Sequence, residues 1–168
     1  TIYQTEYFTE PASWHFGDKA IKIPGLDGSG KMGKSEGNAI YLIDDEKTLT
    51  KKVKRAVTDG GPTEPNSTMP EPIANLFTLL KIASSQETYQ HYLTAYNDCS
   101  IRYGDLKAQL AADLVALTAP ICERILELSS DQKFLNKVAR EGAERARESA
   151  RKTLEEVRHI IGFMPTIH

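Results

Sequence analysis

Only three residues, Glu36-Gly37-Asn38, separate Gly33-Lys34-Ser35 from the apolar run Ala39-Ile40-Tyr41-Leu42-Ile43. That short spacing limits the available folds more than any other feature of the sequence. Gly28, four further residues and Gly33-Lys34-Ser35 match the G-x-x-x-x-G-K-[ST] letters of a Walker A loop. A strand-like Ala20-Ile21-Lys22-Ile23 precedes the match, and Asp44 ends the apolar run that would serve as Walker B. A loop of that kind must open directly into a helix whose N-terminal amides hold the phosphate, and a parallel crossover takes about a dozen residues. There is no room for either, so a P-loop NTPase is excluded.

The stretch Gly25 to Gly37 still carries chemistry. Five glycines in thirteen residues leave its backbone free to take φ > 0. Lys31, Lys34 and Ser35 put two cations and a hydroxyl on that backbone. Such a loop suits phosphate, whose charge must be approached closely and then released. The competing reading is a solvated turn between two strands. With only Leu26 and Met32 as large apolar side chains, little burial offsets the entropy of ordering it, and the loop is expected to be mobile without nucleotide.

At 168 residues, 40% hydrophobic and 26% charged, the chain is long enough for an ordinary globular core. A formal charge of −2 makes any nucleic-acid contact a local matter. The sequence has no run suited to spanning a bilayer and no signal-peptide pattern, so it reads as cytoplasmic with no membrane partner. Cys99 and Cys122 stand at no metal spacing and fit a reducing compartment. His15, His91, His159 and His168 are scattered, and no metal ligand is assigned.

Residues 1–18 form an irregular aromatic segment around Pro11. Within it, His15-Phe16-Gly17-Asp18 follows no strand–helix context and is given no role. Ala20 to Ile23 and Ile40 to Ile43 read as short strands. From Asp44 or Asp45, either of which could cap it, a helix follows with Leu49, Val53, Ala56 and Val57 on one face. Lys47, Lys51, Lys52, Lys54 and Arg55 crowd its other faces, as a solvated surface or as one that attracts phosphates. The breaker-rich Asp59 to Pro72 is a loop. Beyond it come helical stripes: Ile73, Leu76, Phe77 and Leu80; then Tyr89, Tyr92, Leu93 and Tyr96, read as core rather than a base-stacking platform; then Leu106, Leu110, Leu114 and Leu117. Pro120 should kink that last helix. Ser129 to Gln132 reads as a capping box opening a final helix. The small residues of that helix, Gly142, Ala143, Ala146 and Ala150, would admit a close neighbour, and its charges pair as in Glu141 with Arg145.

Lys31-Met32-Gly33-Lys34-Ser35 resembles the Lys-Met-Ser-Lys-Ser loop of class I aminoacyl-tRNA synthetases, with Gly33 in place of the family's first serine. The flanks Ile40 to Asp45, Arg55 to Asp59, Glu141 to Ala146 and Thr153 to Phe163 are similar to those of tryptophanyl-tRNA synthetases. The resemblance covers roughly residues 19 to 163. It implies a mainly α chain in which a short tail of a Rossmann-type α/β catalytic domain, residues 1–46, precedes a helical domain, residues 47–168, that holds the tRNA anticodon region. It also implies catalytic roles for Lys31 and Lys34, ATP contacts from Lys31, Met32, Gly33, Lys34 and Ser35, and Mg2+ on the pyrophosphate. The implied partners are tryptophan, ATP and tRNA(Trp), in a homodimer when full length. On this resemblance the chain is about half of an enzyme and inactive alone. A tyrosyl-tRNA synthetase-like enzyme and a noncatalytic helical interaction module are the alternatives.

Overall fold

The computed structural model describes residues 3–14 and 22–163. Five helices follow one another: α1 (Glu46–Lys54), α2 (Glu71–Ala83), α3 (Gln86–Asn97), α4 (Tyr103–Ser130) and α5 (Gln132–Ile160). They belong to two compact units, one of Ile21–Glu127 and one that joins Thr1–Ala20 to Leu128–His168.

No strand is present among the described residues, which corrects the expectation of a Rossmann-type α/β tail. Ala20 and Ile21, half of the first expected strand, lie outside the described residues, as does His15-Phe16-Gly17-Asp18. The second expected strand, Ile40 to Ile43, is a turn. The Asp44 N–H donates to the Tyr41 carbonyl (3.0 Å), and the Tyr41 N–H donates to Asp44 Oδ2 (2.8 Å). Leu42 is 50% exposed and Ile43 61%. An apolar run becomes a strand only when a neighbouring strand takes its backbone hydrogen bonds, and nothing within the described residues does. The same turn answers the Walker alternative: residues 34–37 are turn, and the first helix begins only at Glu46.

In the Ile21–Glu127 unit the periodicities meet in one core. Asp45 caps α1, accepting the Thr48 N–H at 2.7 Å, and the helix buries Leu49 and Val53. Pro at the second position of α2 costs no hydrogen bond there, and Ile73, Leu76, Phe77, Leu79 and Leu80 are buried. Ser85 caps α3 by accepting the Thr88 N–H. Tyr96 enters the core, with Tyr89, Tyr92 and Leu93 packed against it. From α4 come Leu106, Leu110, Ala111 and Leu114, whereas Leu117 and Ile121 are exposed. The apolar stripe of α4 therefore stops being core about halfway along the helix. That helix continues through Pro120, as far as Ser130. Lys107 of α4 donates to the Ala56 carbonyl (2.8 Å) and Thr58 Oγ1 (3.0 Å), just past the end of α1. Burial pushes its pKa down.

In the other unit, α5 is capped by Asp131, which accepts the Phe134 N–H at 2.9 Å. Ser129 belongs to α4, so the expected capping box is not used. The Tyr7 hydroxyl donates to Glu156 Oε2 at 2.5 Å, which raises the Tyr7 pKa. A Cβ placed on Gly142 would touch nothing within 4 Å, so its smallness is not spent on a close helix contact among the described residues. Among the described residues, Lys137 pairs with Glu141 on this helix at 3.9 Å.

Candidate active-site loop

The loop expected to be soft has a built base. The Met32 N–H donates to the Ile23 carbonyl (2.9 Å) and the Gly25 N–H to the Ser29 carbonyl (3.1 Å), closing a compact ring of backbone. Leu26 anchors it: the side chain joins the helical core, the N–H donates to the Asn38 carbonyl, and the carbonyl accepts the Val57 N–H. Gly28 has φ +85°, and a Cβ there would lie 3.0 Å from the Pro72 ring at the start of α2. Glycine is therefore required twice over, by the backbone conformation and by the approach of α2.

Asn38, buried at 5% exposure, sits at the centre. Its Oδ1 accepts the Gly33 N–H at 2.9 Å. Its Nδ2 donates to Asp27 Oδ1 (3.0 Å), Ser29 Oγ (3.0 Å) and the Lys31 carbonyl (3.1 Å). Asn75 of α2 donates to the Ser29 carbonyl at 3.0 Å, fastening this network to the core. Asp27 also accepts the Ser29 N–H (3.0 Å). Hydrogen bonds from Ser29 and then from Asn38 favour its charged form and pull its pKa below the ordinary 3.8.

The residues singled out in sequence sit around this frame. Lys31, Lys34 and Ser35 are exposed, while Met32 and Gly33 are half-buried. Met32 turns its sulfur to the Ile40 N–H at 3.5 Å. Neither the Lys31 nor the Lys34 amine is paired with a carboxylate among the described residues. The tip beyond Gly33 is lightly held: Glu36 N–H to the Gly33 carbonyl (3.4 Å), Ser35 Oγ to Glu36 Oε1 (3.1 Å) and Tyr41 Oη to the Lys34 carbonyl (3.4 Å). A Cβ on Gly33 would approach Glu36 Cγ to 3.0 Å, so a side chain there requires the exposed Glu36 to swing aside. Of the basic residues next to the loop, Lys52 is committed to Asp44 (2.6 Å) and lies 4.5 Å from the Tyr41 ring centroid. Lys47, Lys51, Lys54 and Arg55 remain exposed. The sequence reading missed Asp27, Asn38 and Asn75. An asparagine that ends a glycine-rich loop at the edge of an apolar run is the only signal that could have pointed to Asn38.

The Asp27 shift fixes the sign of a pH effect. A carboxylate with a depressed folded pKa contributes stability that is present above its unfolded value and lost as pH falls through the lower folded value. The amide resonances of Ser29 and Gly33 should therefore titrate together with a midpoint below 3.8, and Asp27→Asn should abolish that titration. A midpoint at or above the ordinary carboxylate value would show that Asp27 does not hold the loop.

Among the described residues no helix is long and apolar enough to cross a membrane, and no group of three or more His, Cys, Asp or Glu could hold a metal.

Residues 5–119 match the family described as tRNA synthetases class I (W and Y). A tryptophan–tRNA ligase of Porphyromonas gingivalis is 67% identical over 163 residues, covering 97% of this chain and 50% of that protein. Tryptophan–tRNA ligase 1 of Streptomyces coelicolor is 38% identical over 142 residues, covering 82% of this chain and 41% of its own. The crystal structure of tryptophanyl-tRNA synthetase from Campylobacter jejuni complexed with ADP and tryptophan superposes with a TM-score of 0.69 at 26% identity, over 88% of this chain and 45% of that one. The chain spans about half the length of the curated relatives it matches. It belongs to the class I tRNA synthetases of the W and Y group, and within that group to the tryptophanyl-tRNA ligase family.

Proposed function

We propose that this chain is the C-terminal half of an enzyme that activates tryptophan with ATP, releases pyrophosphate and charges tRNA(Trp), and that the loop from Lys31 to Ser35 handles the triphosphate. The observation that carries the reading is a pair of exposed lysines, unpaired among the described residues, on a loop whose base is fixed and whose tip is loosely held. Nucleotide and tryptophan binding are proposed for the longer protein after the Campylobacter jejuni protein, solved with ADP and tryptophan.

Lys31 and Lys34 would meet the charge that develops as the α-phosphate becomes five-coordinate and pyrophosphate leaves. The Ser35 hydroxyl would help to bind the triphosphate; the Met32 and Gly33 N–H groups are committed to the Ile23 carbonyl and to Asn38 Oδ1, so these two residues would shape the loop against the nucleotide rather than donate to it. The Mg2+ implied by the resemblance would be held chiefly by the phosphate oxygens of the nucleotide and would share the charge of the pyrophosphate. In the longer protein residues 1–46 would complete the catalytic part, residues 47–168 would carry the tRNA anticodon region, and two copies would form the working dimer.

The test is tryptophan-dependent ATP–pyrophosphate exchange, run on the full-length protein and on this chain. Full-length protein should exchange with tryptophan and not with tyrosine, and the 168-residue chain should show none. Robust exchange from the chain alone would defeat the half-enzyme reading.

A further inference from the structure

We propose that Asn38 is a positioning residue for this reaction: its buried carboxamide sets where Lys31 and Lys34 present their charge. The inference rests on reading the loop as the triphosphate-handling element. A carboxamide offers two N–H donors and one carbonyl oxygen. In Asn38 the oxygen takes the Gly33 N–H, and the nitrogen is shared among Asp27 Oδ1, Ser29 Oγ and the Lys31 carbonyl, all at 2.9–3.1 Å. Two of these partners, the Lys31 carbonyl and the Gly33 amide, lie on either side of Met32. One side chain therefore orients the peptides that flank Met32, and through them the directions in which both lysines leave the backbone.

The network is anchored as well as connected. Asn75 of α2 holds the Ser29 carbonyl, and the Asn38 carbonyl accepts from Leu26, whose side chain is in the core. Neither aspartate nor alanine could take over. An aspartate at position 38 would set a second acceptor 3.0 Å from Asp27 Oδ1, where the nitrogen now donates, and alanine would leave all four hydrogen bonds of the carboxamide unmade. Asn38 itself is screened from any ligand by its burial, so it acts through the lysines.

Gly25 supplies an independent way to disturb the same group. A Cβ there would fall 2.3 Å from Asn38 Nδ2, 2.5 Å from Asp27 Oδ1 and 2.8 Å from Ser29 Oγ. Gly25→Ala should displace the carboxamide without altering it.

The experiment measures tryptophan-dependent ATP–pyrophosphate exchange with full-length protein carrying Asn38→Ala, Gly25→Ala or both. A misplacement of about 1 Å is enough to cost on the order of 100-fold in rate. Each single variant should lose about 10- to 100-fold in kcat while KM for tryptophan stays within about twofold. The double variant should be no worse than the worse single, because both act on one network. Should either variant fail to fold, Ser29→Ala, which deletes one exposed partner of the carboxamide, should still lower kcat about fivefold, the scale of one hydrogen bond. Unchanged kcat, losses that multiply in the double variant, or a KM for tryptophan that rises as far as kcat falls would each overturn the positioning role. Wild-type protein with no exchange would defeat the functional reading itself, whereas active wild type with unaffected variants would defeat only the role of Asn38.

Discussion

Lys34→Ala in the full-length protein is expected to lower kcat and kcat/KM for tryptophan activation together, by about 10²- to 10³-fold. The scale is that of one preorganised donor lost from a site where charge develops in the transition state. Equal loss in both constants is the mark of an interaction made only at that stage. The structure separates this effect from stability. The Lys34 amine is exposed and unpaired among the described residues, and only its carbonyl is engaged, by Tyr41. Truncating an exposed side chain of this kind shifts folding free energy by no more than about 0.5 kcal/mol, so a folded, active-site-impaired protein should result. Steady-state pyrophosphate exchange at varied ATP and tryptophan reads the outcome. A rise in KM for ATP with kcat unchanged would make Lys34 a uniform binding contact rather than a transition-state one.

Lys34 and its neighbours could be singled out as candidates because residue type and spacing are visible in sequence. What holds them is not. The backbone of Gly25 to Gly37 suggested softness, yet softness depends on where each N–H and C=O finds a partner, and these partners come from residues without a catalytic signature. Asn38 figured in the sequence only as a spacer before an apolar run. Asn75 drew no notice there, yet it bonds the Ser29 carbonyl across 46 residues of chain. Long-range side-chain-to-backbone bonds leave no periodic trace. With its base fastened, loop mobility is now expected only in the tip from Lys34 to Gly37.

The helices show the same division. Stripes at three- and four-residue spacing located the buried faces of α2 and α3, and Leu49 and Val53 that of α1, since amphipathic periodicity is a local property; Val57 falls past the end of α1 and is exposed. The run Ile40 to Ile43 misled because four apolar residues specify burial but not a partner, and a strand needs one. Ser129 misled for a related reason. A capping box is only an offer to the backbone, and α4 remains helical through Ser130, leaving Asp131 to start α5.

Phe77→Ala tests whether the aromatic stripe is core and whether the loop frame depends on it. Phe77 is 4% exposed, and its ring meets those of Tyr89 and Tyr96 edge to face, each at 6.0 Å between centroids. Removing it deletes a large buried surface, leaves a cavity and breaks two aromatic contacts. Changes of this type cost about 3–5 kcal/mol, against a total of roughly 5–15 kcal/mol for a domain. The substitution should therefore move the urea midpoint of this unit sharply downward with little change in slope, since the surface exposed on unfolding stays nearly the same. A second consequence follows from the geometry of α2. Phe77 lies on the helix that also supplies Pro72 beneath Gly28 and Asn75 to the Ser29 carbonyl. If loop frame and core unfold as one, amide protection at Leu26 and Met32 should fall by the same free energy as protection within α2. A cost below about 1 kcal/mol would mean that the tyrosines of α3 are free to face a ligand instead of a core. Full loss in α2 with undiminished protection at Met32 would mean that Asn38 alone holds the loop together, without help from the helices behind it.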